Sequence, residues 1–142
     1  LAMICARLSM NFILASPPDY VFATQFADRV AAESPPNVRF AMSSDPHEAV
    51  RNADVIYTDT FVSMGQEEEK SARRSAFKDY QVNAELLAAA PSHSLVLHCL
   101  PAYRGVEITD EVIDGPHSRV FPEAHNRLHA QKGLLAVLIG AH

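Results

Sequence analysis

Apolar positions along the chain alternate between short unbroken runs and a spacing near four, the pattern of strands and helices taken in turn. Asn11 to Ser16 is a short apolar run that stops at Pro17-Pro18, which suits a buried strand. Asp19 to Glu33 reads as a helix, because Phe22, Phe26 and Val30 recur on one face while Asp28, Arg29 and Glu33 lie off it. Val38, Phe40 and Met42 alternate as in a strand. Asp45-Pro46-His47-Glu48 then starts a helix, with Asp45 as N-cap, Pro46 in the first turn and Glu48 closing a capping box.

The alternation continues to the C-terminus. Asp54 to Thr58 is strand-like, a solvated helix follows Gly65 with Glu69 and Arg73 four apart, and Asn83 caps a shorter helix that stops before Pro91. Ser94 to Cys99 is a further strand, Thr109 to Asp114 a short helix ended by Gly115, Ser118 to Phe121 a last strand, and Glu123 to Ile139 a long helix. Leu1 to Leu8 reads as the tail of another helix. Such a sequence predicts a single α/β domain, a doubly wound, Rossmann-like parallel sheet with right-handed crossovers and helices on both faces. Ligands of such sheets sit beyond the carboxyl ends of the strands, so the residues just after each strand carry the chemical interest.

Composition changes this picture little. The 142 residues are 48% apolar and 20% charged, without tryptophan, as expected of a globular domain with one core. A net charge of −5 and scattered Lys and Arg argue against a nucleic-acid surface. Two distant cysteines, Cys5 and Cys99, do not form a disulfide framework and point to a reducing compartment. The longest apolar run, Gly133 to Ala141, falls well short of the ~20 residues of a membrane helix, and no signal-peptide pattern opens the chain. A cytoplasmic address without membrane contact is expected. Leu1 lies within an apolar stretch, so the chain reads as cut from a longer polypeptide.

Three segments stand at the carboxyl edge of predicted strands. Asp59-Thr60-Phe61-Val62-Ser63-Met64-Gly65 combines a carboxylate, a hydroxyl and a glycine able to hold an ammonium group, though on spacing alone an ordinary loop whose Asp59 or Ser63 caps backbone amides is the favoured reading. His98-Cys99-Leu100-Pro101 puts a thiol at the edge. A buried packing cysteine is the plain alternative, and a Cys-His pair is disfavoured because adjacent strand residues face opposite ways. Phe121 to Arg127 opens a helix in which Arg127, about one turn in, donates to a carbonyl or phosphate oxygen or pairs with Glu123. His125 and His129 have the spacing of a two-histidine metal site but lack a third ligand, so no metal is expected. Glu67 to Lys70 is a solvated, dipole-complementing run.

In this order and spacing, Asp59 to Glu69, His98 to Pro101 and Phe121 to Arg127 closely resemble the ornithine carbamoyltransferase family, and the Ser-Met-Gly and His-Cys-Leu-Pro signatures separate it from aspartate carbamoyltransferase. The resemblance runs from Leu1 to the C-terminus and covers the ornithine-binding domain only. It implies that the carbamoyl-phosphate domain, with its Ser-Thr-Arg-Thr type loop, and the ornithine domain's own first strand lie before Leu1. It implies carbamoyl transfer from carbamoyl phosphate to the δ-amine of ornithine, giving citrulline and phosphate without a cofactor or covalent enzyme intermediate. By the same resemblance, Asp59 and Ser63 hold the α-amino group of ornithine and the backbone of Met64 its carboxylate. Cys99 and the carbonyl of Leu100 border the δ-amine and the carbamoyl NH2, and Arg127 stabilises the carbamoyl oxygen. The complete protein is then a homo-oligomer, a trimer or a multiple of one, and this chain alone is inactive. Two other readings remain: a carbamoyltransferase for putrescine or acetylated ornithine, and a non-catalytic binding module.

Overall fold

The computed structural model describes residues 1–62, 65 and 67–140. In chain order its elements are α1 (Ala2–Arg7), β1 (Phe12–Ala15), α2 (Thr24–Glu33), β2 (Phe40–Ser43), α3 (Pro46–Val50), β3 (Val55–Thr58), α4 (Lys70–Ala76), α5 (Ala84–Ala88), β4 (Leu95–His98), α6 (Asp110–Ile113) and α7 (Val120–Ile139). Short 3-10 turns at Pro18–Tyr20, Glu67–Glu69 and Lys78–Tyr80 lead into or out of helices.

Among the described residues strand pairing is parallel, as the α/β reading requires, and falls into two ladders. One pairs β1 with β2, Phe12 opposite Phe40; the other pairs β3 with β4, Val55 opposite Leu95 and Thr58 opposite His98. Val96, wholly buried, extends the second ladder by a bridge to Ser118. Helix α3 packs on β1, β2 and α5 and so joins the two halves.

The larger core gathers Ile56 of β3, Val96 of β4, Ile108, Val112 and Ile113 around α6, and Val120 at the start of α7. Burying each such aliphatic side chain stabilises the fold by roughly 1.5–3 kcal/mol. The smaller core is Ala2, Ala6 and Val30, floored by Phe12, Phe22 and Phe40. There the rings of Phe12 and Phe40 stack at 6.1 Å and Phe22 lies 6.3 Å from each.

Local chemistry explains the element ends. Asp45 caps α3 as expected, its Oδ1 accepting from the amides of His47 at 2.9 Å and Glu48 at 3.1 Å. The capping box does not close: Glu48 accepts from the Ser43 hydroxyl, and the Asp45 amide donates to that same hydroxyl instead. Asn83 caps α5 through the Leu86 amide at 2.9 Å. Glu69 and Arg73 form the expected i,i+4 ion pair at 2.8 Å.

Two expected element boundaries are corrected. Helix α2 begins at Thr24 and not Asp19, because Pro17-Pro18 opens a 3-10 turn and Val21 and Ala23 stay extended. Phe22 therefore reaches the β-strand aromatics from a loop. The strand expected at Ser118 to Phe121 is a single bridge at Ser118, and α7 starts at Val120. The Glu123 amide donates to the Arg119 carbonyl at 2.8 Å, the first helical hydrogen bond, so Val120, buried, and Phe121, exposed, belong to a helix start, with Pro122 in the first turn where its missing N–H costs nothing.

Candidate functional site

The carboxyl ends of β3 and β4 lie side by side because Thr58 and His98 are register partners. The next residues, Asp59 and Cys99, are exposed neighbours. The Cys99 thiol donates to Asp59 Oδ1 at 3.0 Å, and the Thr60 amide donates to the same oxygen at 2.6 Å. Asp59 thus performs the loop-capping role and still faces the thiol. Cys99 is not the buried packing residue of the plain alternative; the buried cysteine is Cys5.

Partial desolvation, then the hydrogen bond and charge of Asp59, push the Cys99 thiol up to about 11. Both effects penalise the thiolate. Cys99 is therefore a protonated, polarizable group at neutral pH and not a nucleophile poised for covalent attack. Desolvation foremost, then the charge of Glu123 and the Cys99 thiol, also raise the phenol of Tyr57, which stands one residue before Thr58 and keeps its proton.

His98 faces the other way, as strand alternation demands. It is wholly buried, its Nε2 lying 3.2 Å from Glu107 Oε1, while its Nδ1 accepts from the Leu100 amide at 2.9 Å. It has no contact with the thiol among these hydrogen bonds. Leu100 turns the chain with φ +55°, ahead of a cis bond to Pro101.

Helix α7 is fastened to this edge by Glu123, whose Oε2 accepts from the His98 amide at 3.0 Å. The Glu123–Arg127 ion pair of the alternative reading does not occur among the described residues. Arg127 itself is exposed, about two turns into α7 because the helix starts earlier than expected, and takes part in no ion pair among the described residues. Ser63 and Met64 lie outside the described residues. Asp59, Cys99 and Leu100 are thus brought together at one edge, with Arg127 on the helix anchored there.

Sequence reasoning missed the roles of two acidic residues. Glu123 was visible as a carboxylate in the first turn of the helix that carries Arg127. Glu107 carried no signal, since it lies nine residues beyond His98 and only the fold closes that distance. His125 and His129 approach within 5.0 Å ring to ring, yet no group of three metal-ligating side chains occurs among the described residues. A cavity of about 390 Å³ between α5 and α6, lined by Leu87, Pro91, Val112 and His117 among others, lies apart from this edge. No helix of the described residues is long and apolar enough to cross a membrane.

Comparison with known proteins adds a family. A family model described as the aspartate/ornithine carbamoyltransferase Asp/Orn binding domain matches residues 1–138. An ornithine carbamoyltransferase of Methanopyrus kandleri is 47% identical over 145 residues, covering 99% of this chain and 45% of the relative. One from Archaeoglobus fulgidus is 50% identical, covering 95% and 43%. Among solved structures, the Campylobacter jejuni anabolic ornithine carbamoyltransferase superposes with a TM-score of 0.87 at 33% identity, over 99% of this chain and 47% of that one. A mutant N-acetyl-L-ornithine transcarbamylase, complexed with carbamyl phosphate and N-succinyl-L-norvaline, superposes at 0.81 with 32% identity, over 96% and 42%. The chain spans less than half the length of these relatives.

Proposed function

The chain belongs to the aspartate/ornithine carbamoyltransferase family, and we propose that in the complete protein it forms the ornithine side of a site that carbamoylates the δ-amine of ornithine. The Cys99–Asp59 contact at 3.0 Å carries the reading, because it places an anionic and a neutral polarizable group together at the edge where ligands of such sheets bind. A preceding domain supplies carbamoyl phosphate, a homo-oligomer completes the assembly, and the address is cytoplasmic. These belong to the same proposal.

Ornithine carries two ammonium groups and one carboxylate, and only the δ-nitrogen must lose its proton to attack. Asp59 and Ser63 hold the α-ammonium, and the Met64 backbone takes the carboxylate. Both contacts leave the δ-amine free to be aimed within near-attack distance of the carbamoyl carbon. Cys99 and the Leu100 carbonyl line the reacting end. The thiol hydrogen points at Asp59, so the sulfur presents lone pairs to amine N–H groups without offering a competing nucleophile. As the carbon–nitrogen bond forms and the bond to phosphate breaks, negative charge on the carbamoyl oxygen is met by Arg127. The carbon–oxygen bond to phosphate breaks, and the leaving phosphate takes up the proton that the attacking nitrogen gives up, which balances the step.

The free α-amino group is the specificity test, since one structural relative is an N-acetyl-L-ornithine transcarbamylase. Formation of the carbamoylated product and release of phosphate by the complete protein, from carbamoyl phosphate with ornithine, N-acetylornithine and putrescine in turn, separates the readings. Turnover of ornithine alone is expected; preference for the acetylated substrate, or ornithine binding without turnover, overturns it.

A further inference from the structure

The mechanism leaves one buried titratable pair unused, His98 and Glu107. Both side chains are 0% exposed, in a segment where an apolar pair would pack more cheaply. Their hydrogen bonds are directional and all run toward the loop carrying Cys99 and Leu100. Nδ1 of His98 accepts from the Leu100 amide, so the ring hydrogen resides on Nε2 and is aimed at Glu107 Oε1. That same Oε1 accepts a short hydrogen bond from the Tyr103 amide. One carboxylate oxygen therefore holds the ring at one end of the turn and the backbone at the other.

The post itself is anchored in the core. Glu107's carbonyl accepts from the Val82 amide at 2.9 Å, and its neighbour Ile108 is fully buried and bridged to Val82. Gln81 Nε2 also donates to the carbonyls of Gly105 and Val106. Glu107 Oε2 has no partner among the described residues, so a buried acceptor is retained for what Oε1 alone provides.

We propose that Glu107, through His98 and the Tyr103 amide, is a positioning residue that aims the Leu100 carbonyl and the Cys99 thiol at the reacting end of the site. It touches no substrate. The inference rests on the carbamoyl-transfer reading, and it predicts that acceptor geometry at Oε1, rather than negative charge, is what matters. A displacement near 1 Å of reacting groups costs about 10²-fold in rate.

The test uses the complete protein with Glu107→Gln and Glu107→Ala. The amide keeps a carbonyl oxygen for both donors, so Glu107→Gln is expected to retain kcat within about tenfold, whereas Glu107→Ala loses about 10²-fold or more while the ornithine KM stays within about threefold. Equal losses in the two variants, or an alanine variant with near-normal kcat, overturn the proposal. Two readouts need no turnover. Nitrogen NMR of unmodified protein should show His98 with hydrogen on Nε2 and a bare, hydrogen-bonded Nδ1; the opposite tautomer overturns the proposal even if Glu107→Ala fails to fold. Alkylation of Cys99 should quicken in Glu107→Ala and stay unchanged in Glu107→Gln. If ornithine proves not to be the substrate while tautomer and alkylation behave as expected, the functional reading fails and the positioning of the loop stands.

Discussion

The Cys99 thiol hydrogen-bonds Asp59 Oδ1 at 3.0 Å, and each residue stands one position past the Thr58–His98 couple that closes the β3–β4 ladder. Strand register, rather than loop accident, sets this distance. Any change to Asp59 therefore acts on the thiol as well as on the ammonium group that the proposed function assigns to it.

Asp59→Asn should raise the ornithine KM about 10- to 100-fold, the equivalent of the ~1.5–3 kcal/mol of a charge-assisted contact, with carbamoyl phosphate binding nearly unchanged. Steady-state kinetics of the complete protein with each substrate varied in turn provide the check. An unaltered ornithine KM removes Asp59 from the ammonium site.

The same substitution has a second signature. Cys99 alkylation should rise with pH around a midpoint near 11 in the unmodified, substrate-free protein, because desolvation and the Asp59 carboxylate both favour the neutral thiol. Removing the negative charge lifts one of these penalties, so the midpoint should move down, toward the ordinary thiol range of about 8.5. A midpoint unmoved by Asp59→Asn would show that the carboxylate does not sense the thiol.

Cys99→Ser should keep measurable turnover. A hydroxyl also donates to Asp59 and also presents lone pairs to an amine, though it is less polarizable, whereas an obligatory covalent thiol would leave almost no activity. Mass spectrometry of protein quenched during turnover should find Cys99 unmodified; a carbamoylated Cys99 refutes the non-covalent reading.

Arg127→Ala should lose far more kcat than ornithine affinity, on the order of 10²–10³-fold, since its partner oxygen gains charge only as the reaction proceeds. Comparing kcat with ornithine binding measured by calorimetry separates the two. Glu123 is expected to matter for Arg127 indirectly, since its hydrogen bond to the His98 amide fastens the first turn of the helix carrying the guanidinium.

The edge residues were legible because short strands with β-branched and apolar runs, such as Val55 to Thr58 and Leu95 to His98, point unambiguously to their own carboxyl ends. Caps at Asp45 and Asn83 were legible for a similar reason: a side-chain oxygen two or three residues before a free amide is local chemistry. What escaped was non-local. Glu107 reaches His98 only because Ile108 is drawn beside Val82 in the core, and Ser43 outcompeted the Asp45–Glu48 box because strand β2 delivers its hydroxyl to both. Val120 and Phe121 misled because a short apolar pair, one residue buried and the next exposed, fits a strand and a helix start alike, and only the hydrogen bond from the Glu123 amide to the Arg119 carbonyl separates them.

Helix α7 continues far beyond its own core. Val120 is its buried residue, while Leu134 and Leu135 are each 53% exposed and Val137, Leu138 and Ile139 are 80%, 72% and 79% exposed. These apolar side chains form a patch wider than one amphipathic face, and apolar patches of that kind drive association. The 142-residue chain expressed by itself should therefore self-associate and show no carbamoyl transfer. Because residues 133–140 contribute nothing to either buried cluster, deleting 133–142 should reduce self-association and leave the thermal unfolding of the α/β core in place. Sedimentation velocity and circular dichroism on both forms decide the matter: a well-behaved monomer with the tail present, or a domain that melts without it, would mean that the tail is covered by its own domain.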